Sequence, residues 1–280
     1  MSCLVCVSYF TVGMSGGETA IASYNAILAI RFGMFGGENL PSLLEESDSI
    51  IEQMTRFDQK VGKRYIELYR EVIATLIDKA SSTTSIQNEA TAGESFDKVL
   101  SINRALQSYW LGYTKRCSHY VDKLLAMKVL GSHNRIFILF FGALNAFRGA
   151  KNKSVNGSSR FPKVRKMNKD ATKVLKTASE TSPANYANKL RLLEAEFYSF
   201  EKKNEAAKAA YEAAISLSRS NKFIHEQGLS AELAAIHFQR IGDNEQAIRY
   251  FNEAKECYEK WGSQMKVEFI TDLLEKIHQR

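Results

Sequence analysis

A chain of 280 residues, 45% of them hydrophobic and only 3 of them proline, has material for a substantial core and few strong interruptions to helix. Four cysteines, at 3, 6, 117 and 257, are too few and too scattered for a disulfide framework, which suits a reducing, cytoplasmic compartment. Formal net charge is +7, yet residues 148–176 hold ten Lys/Arg against the single acid Asp170 and carry +9, so the remainder is −2 and the chain is not generally basic.

Residues 3–14 are apolar enough to imitate a signal peptide, but no Lys or Arg precedes Arg31, so the charged leader is missing and a helix of a hairpin fits better. Within them Cys3-Leu-Val-Cys6 has no second pair for zinc and no βαβ context, and reads as structural or as irrelevant to function. Residues 18–34 place Ile21, Tyr24, Ile27 or Leu28, and Ile30 on one helix face, ended by Gly36-Gly37. Asn39 can cap a following helix with Pro41 in its first turn and Leu44, Ile51, Met54 and Phe57 as its stripe. Another helix covers 60–79 through Val61, Tyr65, Leu68, Val72 and Leu76. Residues 80–94 are Ser/Thr-rich without periodicity and predict a loop.

Periodicity resumes from Phe96 to Leu111, breaks at Gly112, and continues over 114–130 through Cys117, Val121, Leu124 and Val129. The run RIFILFFGALNAF (135–147) is apolar on nearly every face, which predicts a helix packed on several sides. It is too short for a membrane span, and no stretch reaches the roughly 18–20 apolar residues a bilayer requires. Residues 149–162 are polar, basic and Gly/Ser-containing and read as a flexible boundary. A basic helix follows at 163–180, then Thr181 or Ser182 before Pro183 opens another, and a last helix after Gly262 and a capping Ser263 presents Val267, Ile270, Leu274 and Ile277.

Residues 190–262 carry one pattern twice, forty positions apart. Leu193 aligns with Leu233, Ala195 with Ala235, Tyr198 with Phe238, Ala207 with Ala247, Tyr211 with Phe251 and Ala214 with Ala254, and Gly242 falls at a helix end. Small residues let two antiparallel helices approach while the aromatics fill the groove between them. The predicted fold is therefore an all-α, right-handed solenoid of helical hairpins. Its segments are N-terminal hairpins at 1–79, the loop 80–94, middle hairpins at 95–148, the basic loop 149–162 and C-terminal repeats at 163–280.

Gly242, Ala247, Phe251 and Ala254, with Ala235 and Phe238 upstream, fall at the spacings of the tetratricopeptide repeat, lengthened to forty residues as in STAND-type regulatory ATPases. The strings SPANYANKLRLLEAE, NKFIHEQGLSAELAA and CYEKWGSQMKV go further. They resemble the helical region of very large multi-sensor signalling proteins, between a predictive AAA-type ATPase and GAF, PAS and histidine-kinase modules; ASYNAILAIRFGMFGGENL (22–40) looks like an earlier copy. The resemblance implies a non-catalytic regulatory scaffold of two-component type that binds a protein or ligand, with ATPase or histidine-kinase modules as partners in cis or in trans. These 280 residues contain no G-x-x-x-x-G-K-[ST], since Gly13-Met-Ser-Gly-Gly-Glu-Thr lacks the phosphate-binding lysine, and no histidine in a phosphoacceptor-like context.

No two of the histidines at 119, 133, 225, 237 and 278 stand three or four apart, so no metal pair is predicted on one helix face, and no cofactor is expected. Glu194 and Glu196 project to different sides of their helix and do not make an acid/base pair. Under the forty-residue register Lys189, Glu196, Glu232, Gln239 and Arg240 would look into a concave groove. The cations Lys163, Arg165, Lys166, Lys169 and Lys173 form a candidate basic patch, which fits a solvated helix face, an acidic partner, an anionic surface or nucleic-acid phosphates. Of the aromatics, only Phe161 falls inside the basic run to stack on a base.

Overall fold

The computed structural model describes residues 10, 12–78, 93–127, 131–151 and 161–279; the C-x-x-C, Val129, Lys153, Arg160 and most of the expected 80–94 loop lie outside them. Phe10 and residues 12–15 are helical, and twelve further helices follow among the described residues. They are α1 (Thr19–Gly36), α2 (Leu40–Arg56), α3 (Lys60–Ile77), α4 (Glu94–Trp110), α5 (Thr114–Ala126), α6 (Ser132–Lys151), α7 (Phe161–Thr181), α8 (Pro183–Phe200), α9 (Asn204–Ser220), α10 (Ile224–Ile241), α11 (Asn244–Trp261) and α12 (Gln264–His278). The described chain is all-α, without strands, and helices adjacent in sequence pack on one another. No described helix is long and apolar enough to cross a membrane.

One turn design recurs at six of the helix junctions. The amide of the second or third residue past the helix reaches back five residues to a carbonyl: Glu38 to Gly33, Gln59 to Met54, Tyr113 to Ser108, Lys203 to Tyr198, Phe223 to Ser218 and Asp243 to Phe238, each at 2.8–3.0 Å. This is the Schellman closure, which needs a left-handed residue just past the helix. That residue is Gly37, Asp58, Gly112, Lys202, Lys222 or Gly242, with φ between 54° and 87°. The last four turns, counting Gly262 at φ 83°, place it at 202, 222, 242 and 262, a rhythm of one helix per twenty residues.

The chain divides into two compact units, 1–103 with 259–267, and 104–258 with 268–280. In the first, α1 packs on both α2 and α3. Asn39 caps α2, its side chain accepting from the Ser42 amide at 3.2 Å, as the sequence indicates. The buried stripe, however, is Leu40, Leu43, Ser47, Ile50 and Met54, one residue out of phase with the expected Leu44 and Ile51, and Phe57 is exposed. On α1 the outcome is divided: the expected Ile30 faces inward together with Ala22, Ser23, Ala26 and Ala29, but Ile21 and Tyr24 are more than 60% exposed. The reason is close approach, since a Cβ added at Gly62 of α3 would stand 3.0 Å from Ser23 Cβ. Val61 is turned outward with Gly62 turned in. Leu68, Phe96 and Leu100, with Tyr65, tie α3 to α4. Residues 259–267 complete this unit. Asn39 Nδ2 donates to the Lys260 carbonyl, and the Ser263 hydroxyl, expected to cap α12, donates instead to the Leu76 carbonyl at 2.5 Å.

In the second unit the forty-residue pairs occupy equivalent environments. Ala195 and Ala235, Ala207 and Ala247, Tyr211 and Phe251, and Ala214 and Ala254 are all fully buried. Leu193 and Leu233 are buried too, while Tyr198 is half-buried where Phe238 is buried and stacks on Tyr250. α8 packs on α9, α9 on α10, and α8 also meets α10. Of the expected flexible stretch 149–162, residues 149–151 are helical and end α6 and residues 161–162 begin α7, while 152–160 lie outside the described residues.

Candidate functional site: a buried polar ladder and an exposed lysine row

Lys189 on α8 and Glu226 on α10 occupy the first helices of successive hairpins. Their charged groups meet at 2.8 Å with both side chains 2% exposed. Lys189 also donates to the Asn185 carbonyl at 2.8 Å and lies 4.6 Å from the Phe223 ring centroid; Asn188 donates to the same Glu226 oxygen and to Ser218. One turn and more along α8, Glu196 accepts both from Lys151 Nζ, at 2.8 and 2.9 Å, and from the Tyr211 hydroxyl. Glu232 of α10 accepts from the Tyr258 hydroxyl at 2.6 Å. Three of the five expected groove residues, Lys189, Glu196 and Glu232, are thus buried rungs between helices and not solvent-facing contacts.

Gln239 is half-buried and Arg240 exposed, so these two retain access to solvent. Arg240 is nonetheless engaged, donating to the Ser199 carbonyl and hydroxyl at 3.0 and 2.7 Å, beside the His237 ring. Ser199 and His237 Nδ1 are 3.0 Å apart, a hydroxyl–imidazole pair, but the ring is fully buried and its other nitrogen has no hydrogen-bond partner. Burial, reinforced by the Arg240 and Lys151 charges, pushes His237 down to about 4, and burial pushes His225 down to about 4 as well. Both rings are therefore neutral near neutrality. Burial likewise lowers Lys151 from its ordinary value and raises the Tyr211 and Tyr258 phenols well above theirs, with the adjacent carboxylates adding to the phenol effect. The chemistry of this ladder is that of a fastener: its groups face one another across helix pairs and are closed to water.

The basic run splits into three fates. Arg148 turns inward, donating to the Tyr109 carbonyl at 2.6 Å with its guanidinium 4.3 Å from that ring's centroid, and Lys151 joins Glu196. Lys163 and Arg165 are exposed but paired, with Asp122 at 3.0 Å and Glu201 at 2.7 Å. Lys166, Lys169, Lys173 and Lys176 remain, all exposed and without an ionic partner among the described residues. Their spacing of three, four and three sets them in one row along α7. The opposite face carries Val164, Ala171 and Leu175 into the core. Two exposed acids, Asp170 and Glu180, share the helix. Of the expected patch, Lys166, Lys169 and Lys173 are open, Lys163 and Arg165 are held, and Lys176 joins the row.

Sequence reasoning passed over the residues that build the ladder from the far side: Arg148, Lys151, Asn188, Ser199, Tyr258 and Glu226. A signal was present for two of them, since Leu144, Phe147, Arg148 and Lys151 continue the inward register of α6 at spacings of three, one and three. Gly228 was passed over as well. A Cβ there would stand 2.9 Å from the Tyr258 ring and 3.0 Å from Cys257 Cβ, so glycine is what lets α10 and α11 close on one another. Among the described residues no cluster of His, Cys, Asp or Glu is arranged to hold a metal ion. The chain matches no family model, no curated protein and no solved structure with which it was compared.

Proposed function

We propose that the protein is a tetratricopeptide-like solenoid, a non-catalytic scaffold that binds a partner protein in cytoplasmic signal transduction. Its resemblance to the helical region of multi-sensor ATPase/histidine-kinase proteins suggests such modules as the partners, in cis or in trans. The observation that carries the reading is the regular helix-pair repeat from α8 to α11, whose left-handed turns recur at 202, 222, 242 and 262. Stacked pairs of this kind touch mainly their neighbours, so small changes at each interface accumulate along the array, and a bound partner shifts its curvature. The α7 lysine row supplies a docking contact for an acidic surface at the entrance to that repeat.

The test is affinity capture with the full chain beside a Lys166→Glu/Lys169→Glu/Lys173→Glu/Lys176→Glu variant. An ATPase or kinase module retained by the first and lost by the second supports the proposal; recovery of no such module with either overturns it. The lysine row also favours a second reading, nucleic-acid binding. Four phosphate contacts to a single strand predict a log–log salt slope of about −3 in filter binding, abolished by the same substitutions. No retention of single-stranded RNA at low salt removes this second reading.

A further inference from the structure

Between α5, α6 and α7 lies a cavity of 840 Å³ that neither the repeat nor the lysine row accounts for. Its volume is within the range of small-molecule sites, about 300–1,000 Å³. The space arises because α6 presents Gly142, Ala146 and Gly149 toward it at spacings of four and three, so that no α6 side chain at these positions exceeds a methyl group. At both ends of this strip α5 comes close: an added Cβ at Gly142 would stand 2.9 Å from Val121, and one at Gly149 would stand 3.1 Å from Thr114. Asn145, 1% exposed, fixes the same two helices by donating to the Thr114 carbonyl and the Ser118 hydroxyl, each at 3.0 Å. Val121, Val164 and Met167 line the apolar wall.

The lining is charged unevenly. Lys115, Arg116 and Lys163 contribute three cations and Asp122 one acid, and Lys163 bridges α7 to α5 by its 3.0 Å contact with that acid. Lys115 and Arg116 are exposed and have no ionic partner among the described residues. An apolar chamber with a net cationic rim selects a molecule with an apolar body and one anionic end. We propose that this cavity is a binding site for a single-chain amphipathic carboxylate of the fatty-acid type. The hydrocarbon lies along Ala146, Val164 and Met167, and the carboxylate meets Lys115 and Arg116.

Titration of the full chain with dodecanoate below its micelle concentration, followed by methionine-methyl NMR and calorimetry, tests this. The expected result is a saturable shift of the Met167 methyl while the Met34 and Met54 methyls stay in place. Dodecyltrimethylammonium, with the same chain and the opposite charge, neither shifts Met167 nor competes. Lys115→Glu/Arg116→Glu, both on the surface, weakens dodecanoate by on the order of tenfold or more. Ala146→Leu, which fills the chamber without touching the rim, abolishes it. Should Ala146→Leu fail to fold, the rim variant and the charge-reversed surfactant decide alone. An unmoved Met167, equal binding of the cationic surfactant, or an unchanged affinity in the rim variant overturns the proposal.

Discussion

Removing the charge of Lys189 while leaving its carbon chain, Lys189→Met, isolates the most deeply buried ion pair of the repeat. Glu226 would remain 2% exposed with its charge facing Asn188 and no cation. Breaking a buried pair from one side costs about 3–5 kcal/mol, because the surviving carboxylate must either stay charged without a counterion or take up a proton. With a urea dependence of about 3 kcal/mol per molar, that cost lowers the unfolding midpoint by roughly 1–1.7 M. The double variant Lys189→Met/Glu226→Leu removes both charges and recovers most of the loss, since an apolar pair of similar volume replaces the salt bridge at little net cost. The assay is urea unfolding followed by circular dichroism across the four members of the cycle. A single-variant cost below about 1 kcal/mol, or a double variant as unstable as the two singles summed, would refute the view that α8 and α10 are fastened by this pair.

His225 and His237 are held neutral, pushed from 6.5 down to about 4. Below pH 6.5 the unfolded chain takes up protons that these rings refuse, so their contribution is full above that pH. It is lost as the pH falls toward 4, by on the order of 1.4 kcal/mol per pH unit per ring, and in chemical unfolding at stepped pH His237→Gln shows a shallower decline than the parent. Gly228→Ala gains about 1 kcal/mol in helix propensity but drives a methyl against the Tyr258 ring at a cost of about 2–3 kcal/mol, and the thermal midpoint falls by the equivalent of about 1–2 kcal/mol net. Lys202 and Lys222 occupy left-handed turn positions that Gly242 and Gly262 fill forty residues later. Lys222→Gly therefore raises stability by about 0.5–1 kcal/mol in urea unfolding, and Gly242→Lys lowers it by a similar amount.

The helices were legible because their ends are written in local chemistry, and the repeat because its small and aromatic positions recur without insertion. Orientation was less legible, for two different reasons. In α2 the doublets Leu43-Leu44 and Ile50-Ile51 offer two stripes of nearly equal apolarity. The chosen one runs through Ser47, whose hydroxyl is satisfied by the Leu43 carbonyl at 2.7 Å and so buries at little cost. In the first half of α1 the larger apolar residues Ile21 and Tyr24 point away from the core, because the approach of Gly62 to Ser23 leaves room only for small residues there, and large ones, Ile30 and Met34, enter the core further along. Hydrophobic size ranks faces correctly when helices stand at ordinary separation, and misranks them when the backbones come close.

The candidate site failed to read out from sequence for a related reason. Lys189, Glu196 and Glu232 are charged, and a charged residue on a helix is assigned to solvent unless its partner is visible. Here the charged and phenolic partners lie fifteen or more residues away: Tyr211 for Glu196, Tyr258 for Glu232, Glu226 for Lys189 and Lys151 for Glu196. A buried charge needs such partners in fixed directions, so each rung admits one register of helix against helix where an apolar contact would admit several. Helices α8 and α10 have thereby spent these buried polar groups on alignment. The two binding surfaces proposed above lie on the preceding helices, in the lysine row of α7 and the cationic rim between α5 and α7. Substitutions that alter binding without altering stability therefore belong in 115–176, and substitutions among the rungs of α8 and α10 alter stability first.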